Sequence, residues 1–465
     1  MRVVIVGAGF GGIGAAIELK RHGFDDIVIL DRAPELGGTW YFNDYPGAAC
    51  DVPSHLYSFS FAQRRDWTRL CSPRDEIFAY LREVARDQGI DRLVVPDTEV
   101  TRAAYDGHWT IESSDGRTWE ADALIVATGQ LHRTHTPRLA GTFAGHSFHS
   151  AEWDHDYDLR GKRVAVIGTG ASAVQFVPEI APQVERLVVF QRTGNWFLPR
   201  RNRPYPRWFR ALVKVPGVQA FRRRFIFWYG ESLTLMIRHP RTWGRIGHAR
   251  CAAFMRWQLR DRELRRRVWP DYTFGCKRVL FSSYFLPALH RPNVELVTDR
   301  VTGLEADGVV TADGREHAVD CIIYATGFRA TDFMFPMEIV GRDGVSLREA
   351  WADGPHAHLG MLVPGFPSLY LMYGPNTNTS GGSIIFYLER QAAYIRQALS
   401  IGAFEVRSSV EAESDVALQA RFAGTAWTAC DSWYRDESGR IVTNWPGYMH
   451  EYGALTRSVD RAEFV

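Results

Sequence analysis

One unit restricts the fold more than any other feature, and it occurs twice: a β-branched strand, a glycine turn, then a helix. Val3 to Val6 is an apolar run that reads as a strand covered on both faces. It enters Gly7-Ala8-Gly9-Phe10-Gly11-Gly12, followed by a helical stretch from Ile13 to Arg21. In this GxGxxG turn Gly7 permits the sharp reversal, Gly9 lets a pyrophosphate reach the backbone, and Gly12 allows close helix–strand packing. The free N–H groups of the helix start then face the phosphates. A second strand, Ile27 to Leu30, ends in Asp31, a carboxylate that can accept from ribose hydroxyls. The unit returns at Arg163 to Ile167, with Gly168-Thr169-Gly170-Ala171-Ser172-Ala173 and a helix beginning near Ser172. Its next strand, Leu187 to Phe190, ends in Gln191-Arg192-Thr193. Arg192 therefore takes the place of Asp31, 24 positions after the first glycine in each unit (31 − 7 and 192 − 168). An arginine cannot accept from a hydroxyl, but it pairs well with a 2′-phosphate. The first site suits FAD and the second suits NADPH.

Two further strands, Ala123 to Val126 and Cys321 to Tyr324, run into Ala127-Thr128-Gly129 and Ala325-Thr326-Gly327. They read as crossings between nucleotide domains. The expected fold class is α/β, with two Rossmann-like dinucleotide-binding domains and an inserted helical subdomain. The expected boundaries are 1–145 and 325–465 for the FAD domain, the latter with the C-terminal segment, and 146–199 and 271–324 for the NADPH domain. An Arg/Trp-rich helical insert over 200–270 completes the chain. That insert holds 19 Lys/Arg against three acids, Glu231, Asp261 and Glu263. Pro216, Gly217, Gly230, Pro240 and Gly244 should divide it into short helices, with Phe254, Trp257, Leu264 and Val268 on one face. Its arginine runs leave two readings open: contact with an anionic membrane surface, or, more plainly, a solvated face that draws in NADPH. No nucleic-acid recognition motif is present, and no nucleic-acid partner is expected.

Cysteine spacing narrows the chemistry. The six cysteines are scattered and none forms a CxxC pair, so neither a disulfide framework nor a metal site is expected. The same spacing omits the redox pair of a flavin disulfide reductase and points to a reducing, cytoplasmic setting. No run of 18 apolar residues predicts a membrane span. Two nucleotide sites in one chain imply electron transfer from nicotinamide to flavin, hence an enzyme and not a binding module.

Two fingerprints sharpen this. Phe143-Ala144-Gly145-His146-Ser147-Phe148-His149-Ser150-Ala151-Glu152-Trp153-Asp154 reads FxGxxxHxxxW followed by Asp, and Gly37-Gly38-Thr39-Trp40 is followed by Tyr45-Pro46-Gly47 and Asp51. The chain resembles class I flavin-dependent Baeyer–Villiger monooxygenases, of the flavin-containing monooxygenase superfamily, over nearly its whole length. Gly275-Cys276-Lys277-Arg278 is similar to that family's GxKR segment.

The resemblance implies that Arg278 is the active-site arginine, Asp51 its carboxylate partner, and Lys277 a second contact to the 2′-phosphate beside Arg192 and Thr193. Gly38, Thr39 and Trp40 would border the flavin, while Gly170 and Ser172 open the second phosphate turn. Phe143, Gly145, His149 and Trp153 would form a hinge signature, Trp153 as a packing anchor. Trp445 would be a pocket wall, with core packing equally open. The implied reaction uses FAD, NADPH and O2 to insert one oxygen into a small ketone through a C4a-peroxyflavin, giving an ester or lactone. The same family resemblance leaves oxidation of sulfur or nitrogen as the alternative. An always-charged guanidinium suits the negative charge that develops on oxygen. Two stretches depart from the family pattern: Gln130 to Thr136 lacks its early proline, and Thr379-Ser380-Gly381-Gly382-Ser383 replaces its usual Gly-His-Asn-Ser ending.

Overall fold

The computed structural model describes residues 1–200 and 202–465. Ten strands build two parallel sheets. In chain order they are β1 (Arg2–Val6), β2 (Asp26–Leu30), β3 (Val94–Val95), β4 (Ala123–Val126) and β5 (His146–His149). The rest are β6 (Arg163–Ile167), β7 (Arg186–Phe190), β8 (Val294–Val297), β9 (Cys321–Tyr324) and β10 (Leu369–Leu371). The first sheet runs β10-β4-β1-β2-β3 and the second β8-β7-β6-β9-β5. Each contains a strand, a glycine turn and a helix in succession, with α1 (Phe10–Arg21) in the first and α2 (Ala171–Ile180) in the second.

Period-two geometry explains why the founding strands are apolar without alternation. Val3 and Ile5 join one core with Ile13, Ile17, Ile385 and Ile395. Val4 and Val6, on the opposite face, join a second core with Ala103, Trp109 and Ile111. β6 repeats the device: Val164 and Val166 meet Val174 and Val177 of α2, and Ala165 and Ile167 meet Val309 and Val319. Each of these valines and isoleucines contributes about 1.5–3 kcal/mol on burial. Antiparallel strands cover the outer faces, among them Val100–Tyr105 with Trp109–Ser113 and Val301–Glu305 with Gly308–Thr311.

The insert departs from expectation. It contains α3 (Arg207–Val213), α4 (Val218–Arg238), α5 (Trp243–Gln258) and α6 (Arg262–Val268). Gly230 does not interrupt it, since α4 passes through that residue, whereas Pro216 and Gly217 precede α4, and Pro240 and Gly244 mark the break at which α5 begins. Gly230 is there for close approach, since a Cβ would stand 2.6 Å from the Gly381 carbonyl oxygen. The expected apolar face also divides. α5 ends at Gln258, Asp261 caps α6 by accepting from Leu264 N at 2.7 Å, and Trp257 is exposed while Val268 is buried. α1 likewise starts at Phe10 and not at Ile13, with Ile13 N bonded to Gly9 O at 3.0 Å. The glycine turn is thus the first turn of the helix.

After β10, α7 (Ile384–Ile401) packs on α1 and closes the first domain. β5, which carries the middle of the His149 fingerprint, is the edge strand of the second sheet, with His149 opposite Tyr324 of β9. Among the described residues no helix is long and apolar enough to cross a membrane.

Candidate active site

Both glycine turns open on one cavity of about 1780 Å³, larger than the roughly 300–1,000 Å³ of a single small-ligand pocket. The turns are built alike. Gly7 has φ +110° and Gly168 φ +111°; a Cβ at either would stand 2.5 Å from Ala127 O or 2.4 Å from Ala325 O, respectively. Each turn therefore lies against the crossing at the end of its own sheet. Gly9, Gly38, Thr39 and Trp40 line the first site. Trp40 is buried, and its Nε1 donates to the Tyr57 hydroxyl at 3.1 Å, so it serves packing and the cavity wall together. Asp31 closes this site, accepting from Ala8 N at 2.5 Å and Ala33 N at 2.8 Å. Burial raises its pKa against the pull of those two N–H groups.

At the second site the sign reverses. Gly170, Ser172, Arg192, Thr193 and Lys277 share the cavity wall. Burial and then the neighbouring Arg192 charge hold the Lys277 ammonium below its ordinary pKa, against Asp271 and Asp431. Two like charges facing one wall call for an anionic ligand. The carboxylate at one turn, the cations at the other and the bare glycine backbones fit FAD and NADPH in that order.

Between the turns stands Asp51. Its Oδ2 accepts from Arg278 Nη2 at 3.2 Å, and its Oδ1 accepts from Arg200 Nη1 at 3.0 Å. Arg200 also donates to Cys50 O at 2.9 Å, and Gln175 Nε2 approaches Asp51 Oδ1 at 3.4 Å. Gln175 in turn accepts from the Tyr45 hydroxyl and from Ala49 N, both at 3.1 Å. The side chains of Asp51 and Arg200 are each 10% exposed; Arg278 keeps 46%, and it lines the cavity. Burial opposes the Arg278 charge, but the Asp51 carboxylate outweighs it and holds its pKa above the usual value. Asp51 is thus held from behind by Arg200 while Arg278 faces the cavity. Burial pushes the nearby Tyr434 phenol up to about 12 despite Arg278, keeping it neutral. Tyr373 donates its hydroxyl to Asn378 at 2.8 Å, and Asn378 donates to Asn444 at 2.7 Å.

Arg200 and Gln175 were not singled out in the sequence. Arg200 is 149 residues from Asp51 and sits in an arginine-rich stretch, so nothing marked it. Gln175 had a usable signal, its place on the helix that follows the second glycine turn.

The remaining expected residues divide. Phe143 packs on the outer core of the second sheet, and a Cβ on Gly145 would stand 2.8 Å from Asp320 O. His149 is buried with Nδ1 accepting from Ala151 N at 3.1 Å, and burial lowers its pKa, so it stays neutral. Trp153 packs edge-on against Phe148 and Phe176. Trp445 does not face the cavity: it is buried in a cluster with Tyr387, Met449 and Tyr452, its Nε1 donating to Tyr448 O at 3.1 Å. Packing is its role, because these aromatic rings enclose it.

The cysteine expectation fails once. Cys276 and Cys430 form a disulfide across 154 residues, while Cys50, Cys71, Cys251 and Cys321 are free and buried. Sequence spacing could not reveal a pair that only tertiary packing brings together. The bridge ties the Lys277–Arg278 loop to the segment that carries Tyr434. The divergent 379–383 stretch also has a structural account: Gly381 and Gly230 meet backbone to backbone, seating α4 against the cavity wall.

Residues 4–206 match the family model of pyridine nucleotide-disulphide oxidoreductases, a span that includes neither bridged cysteine. The chain is similar to a Baeyer–Villiger monooxygenase of Streptomyces coelicolor, with 42% identity over 100% of this chain and 92% of that protein. Its structure is similar to oxidized steroid monooxygenase bound to NADP, with a TM-score of 0.88, 30% identity, and coverage of 98% of this chain and 96% of the other. It is also similar to OTEMO in complex with FAD and NADP, with a TM-score of 0.86, 26% identity, and coverage of 98% and 97%.

Proposed function

Because this chain belongs to the Baeyer–Villiger monooxygenase family, we propose that it inserts one oxygen atom of O2 into a small ketone, using FAD and NADPH. The balance is ketone + O2 + NADPH + H⁺ → ester or lactone + NADP⁺ + H2O. NADPH supplies the hydride, and bound FAD passes the electron pair to dioxygen. The observation that carries this reading is the Asp51–Arg278 pair on the wall of the cavity shared by both glycine turns.

Asp31 would hold the FAD ribose, with Gly7, Gly9 and Gly12 admitting its pyrophosphate. Gly168 and Gly170 would do the same for NADPH, and Arg192, Thr193 and Lys277 would hold its 2′-phosphate. Arg278 stabilises negative charge on the oxygen that attacks and on the carbonyl oxygen it reaches. Asp51 orients that guanidinium through a charge-assisted hydrogen bond. The His149 fingerprint, on the edge strand beside the crossing at Ala325, suits a hinge between domains.

Arg278→Ala tests the reading. It should abolish ester formation from a ketone panel while the purified protein keeps its flavin and is still reduced by NADPH. Ester formation at the parent rate in that variant would refute the role of Arg278. Oxidation of sulfides or amines alone, by the parent enzyme, would establish the heteroatom alternative.

A further inference from the structure

The helical insert carries an aromatic face that the chain leaves uncovered. α4 buries one side against the protein through Ile226, Leu233 and Ile237. A solvent-exposed opposite side should then be polar. Instead Phe221, Phe225, Trp228 and Tyr229 follow at i, i+4, i+7 and i+8, a single helical stripe, with Phe221 74%, Phe225 64% and Trp228 52% exposed. α3 and the turn after it add Trp208, 67% exposed, with Leu212 and Val215. Arg222 ties the two helices, its guanidinium lying over Phe209 and bonded to the Tyr205 hydroxyl. A run of exposed rings this long exceeds the scattered apolar residues of an ordinary surface.

Charge says what covers it. From 203 to 230 the sequence holds Arg203, Arg207, Arg210, Lys214, Arg222, Arg223 and Arg224 and no Asp or Glu. Arg223 turns inward to the carbonyls of His55, Leu56 and Ser58, but Arg203, Arg207, Arg210, Lys214 and Arg224 are exposed. Arg65 joins them, donating to Lys214 O at 3.5 Å. Asp66, the carboxylate near Lys214, is already paired with Arg64 at 2.8 Å. A second copy docking through the same face would set cation against cation across the contact. Aromatic rings flanked by exposed cations on an interfacial helix match instead the apolar boundary and anionic headgroups of a lipid surface.

We propose that α3 and α4 form a peripheral docking surface for anionic membranes, with Phe221, Phe225, Trp228 and Trp208 entering the interface and the flanking cations meeting the headgroups. The protein lies on the bilayer and does not span it. This inference is independent of which substrate the active site oxidises.

Co-flotation of the flavin-loaded enzyme with vesicles tests it, using phosphatidylcholine alone and phosphatidylcholine with phosphatidylglycerol. Binding should favour the anionic vesicles, weaken as salt is raised, and shift tryptophan emission to the blue. Arg207→Gln with Arg210→Gln should weaken binding about 25-fold, fivefold for each cation at about 1 kcal/mol. Phe221→Ser with Phe225→Ser should abolish the binding that survives high salt. Both variants should keep their flavin and their turnover of a water-soluble ketone, because these residues lie outside the active site. Absence of binding to either vesicle, or equal binding to both, would overturn the proposal. So would a concentration-dependent dimer that Phe221→Ser with Phe225→Ser dissociates, since a second copy would then cover the face.

Discussion

Replacing Asp51 by Asn removes the one negative charge that two guanidinium groups share. The geometry ranks the consequences. Arg200, 10% exposed, cannot move into water, whereas Arg278 can swing into the cavity it lines. Removing one partner of a buried ion pair costs about 3–5 kcal/mol, here as two like charges left facing each other. Relaxation moves Arg278 off the position from which it meets the reacting oxygens. Loss of one preorganised donor of that kind lowers kcat by about 10²–10³-fold, equivalent to about 2.7–4 kcal/mol. Asp51→Asn should therefore lose ketone turnover by that factor while flavin stays bound. Arg200→Met alone should do less harm, because Asp51 keeps Arg278 and Gln175. In Asp51→Asn/Arg200→Met the stranded cation is gone, and the double variant should recover about 0.5–3 kcal/mol relative to the sum of the single losses. The assay is a double-mutant cycle in kcat for ester formation, alongside thermal release of flavin. Strict additivity, or a kcat within threefold of the parent for Asp51→Asn, would refute the three-residue argument.

Two other perturbations test separate parts of the molecule. Arg192→Gln should raise KM for NADPH about 10–100-fold, the loss of a charge-assisted contact worth about 1.5–3 kcal/mol, and leave KM for NADH nearly unchanged. Lys277 also titrates below an ordinary lysine, so in the free enzyme its charge, and with it NADPH affinity, falls as pH rises through that lowered pKa. Removing the Arg192 charge should move this fall to higher pH, measurable as Kd against pH; an unmoved profile would dismiss the coupling. Gly381→Ala places a Cβ 2.3 Å from Gly230 O and should cost about 1–3 kcal/mol, read as a lowered Tm. An unchanged Tm would mean that α4 is not seated there.

The founding strands, both glycine turns, the opposite signs of Asp31 and Arg192 and the family fingerprints were legible in the residues themselves. Each depends on local geometry: φ near +110° at a turn, period-two burial along a strand, a charge at a strand end. The break placed at Gly230 failed because a glycine admits either a turn or a close neighbour, and only the partner backbone decides between them. Trp445 was ambiguous for the same reason, since an indole looks alike in a pocket wall and in a core. Arg200, Gln175 and the Cys276–Cys430 bridge were hidden by distance along the chain. Their partners lie more than a hundred residues away, and one arginine among many carries no mark of the carboxylate it will meet. The sequence alone determined the nucleotide-binding units and the kind of charge each presents. Only the tertiary structure decided which side chains gather around Asp51, because that depends on how separately folded units pack against one another.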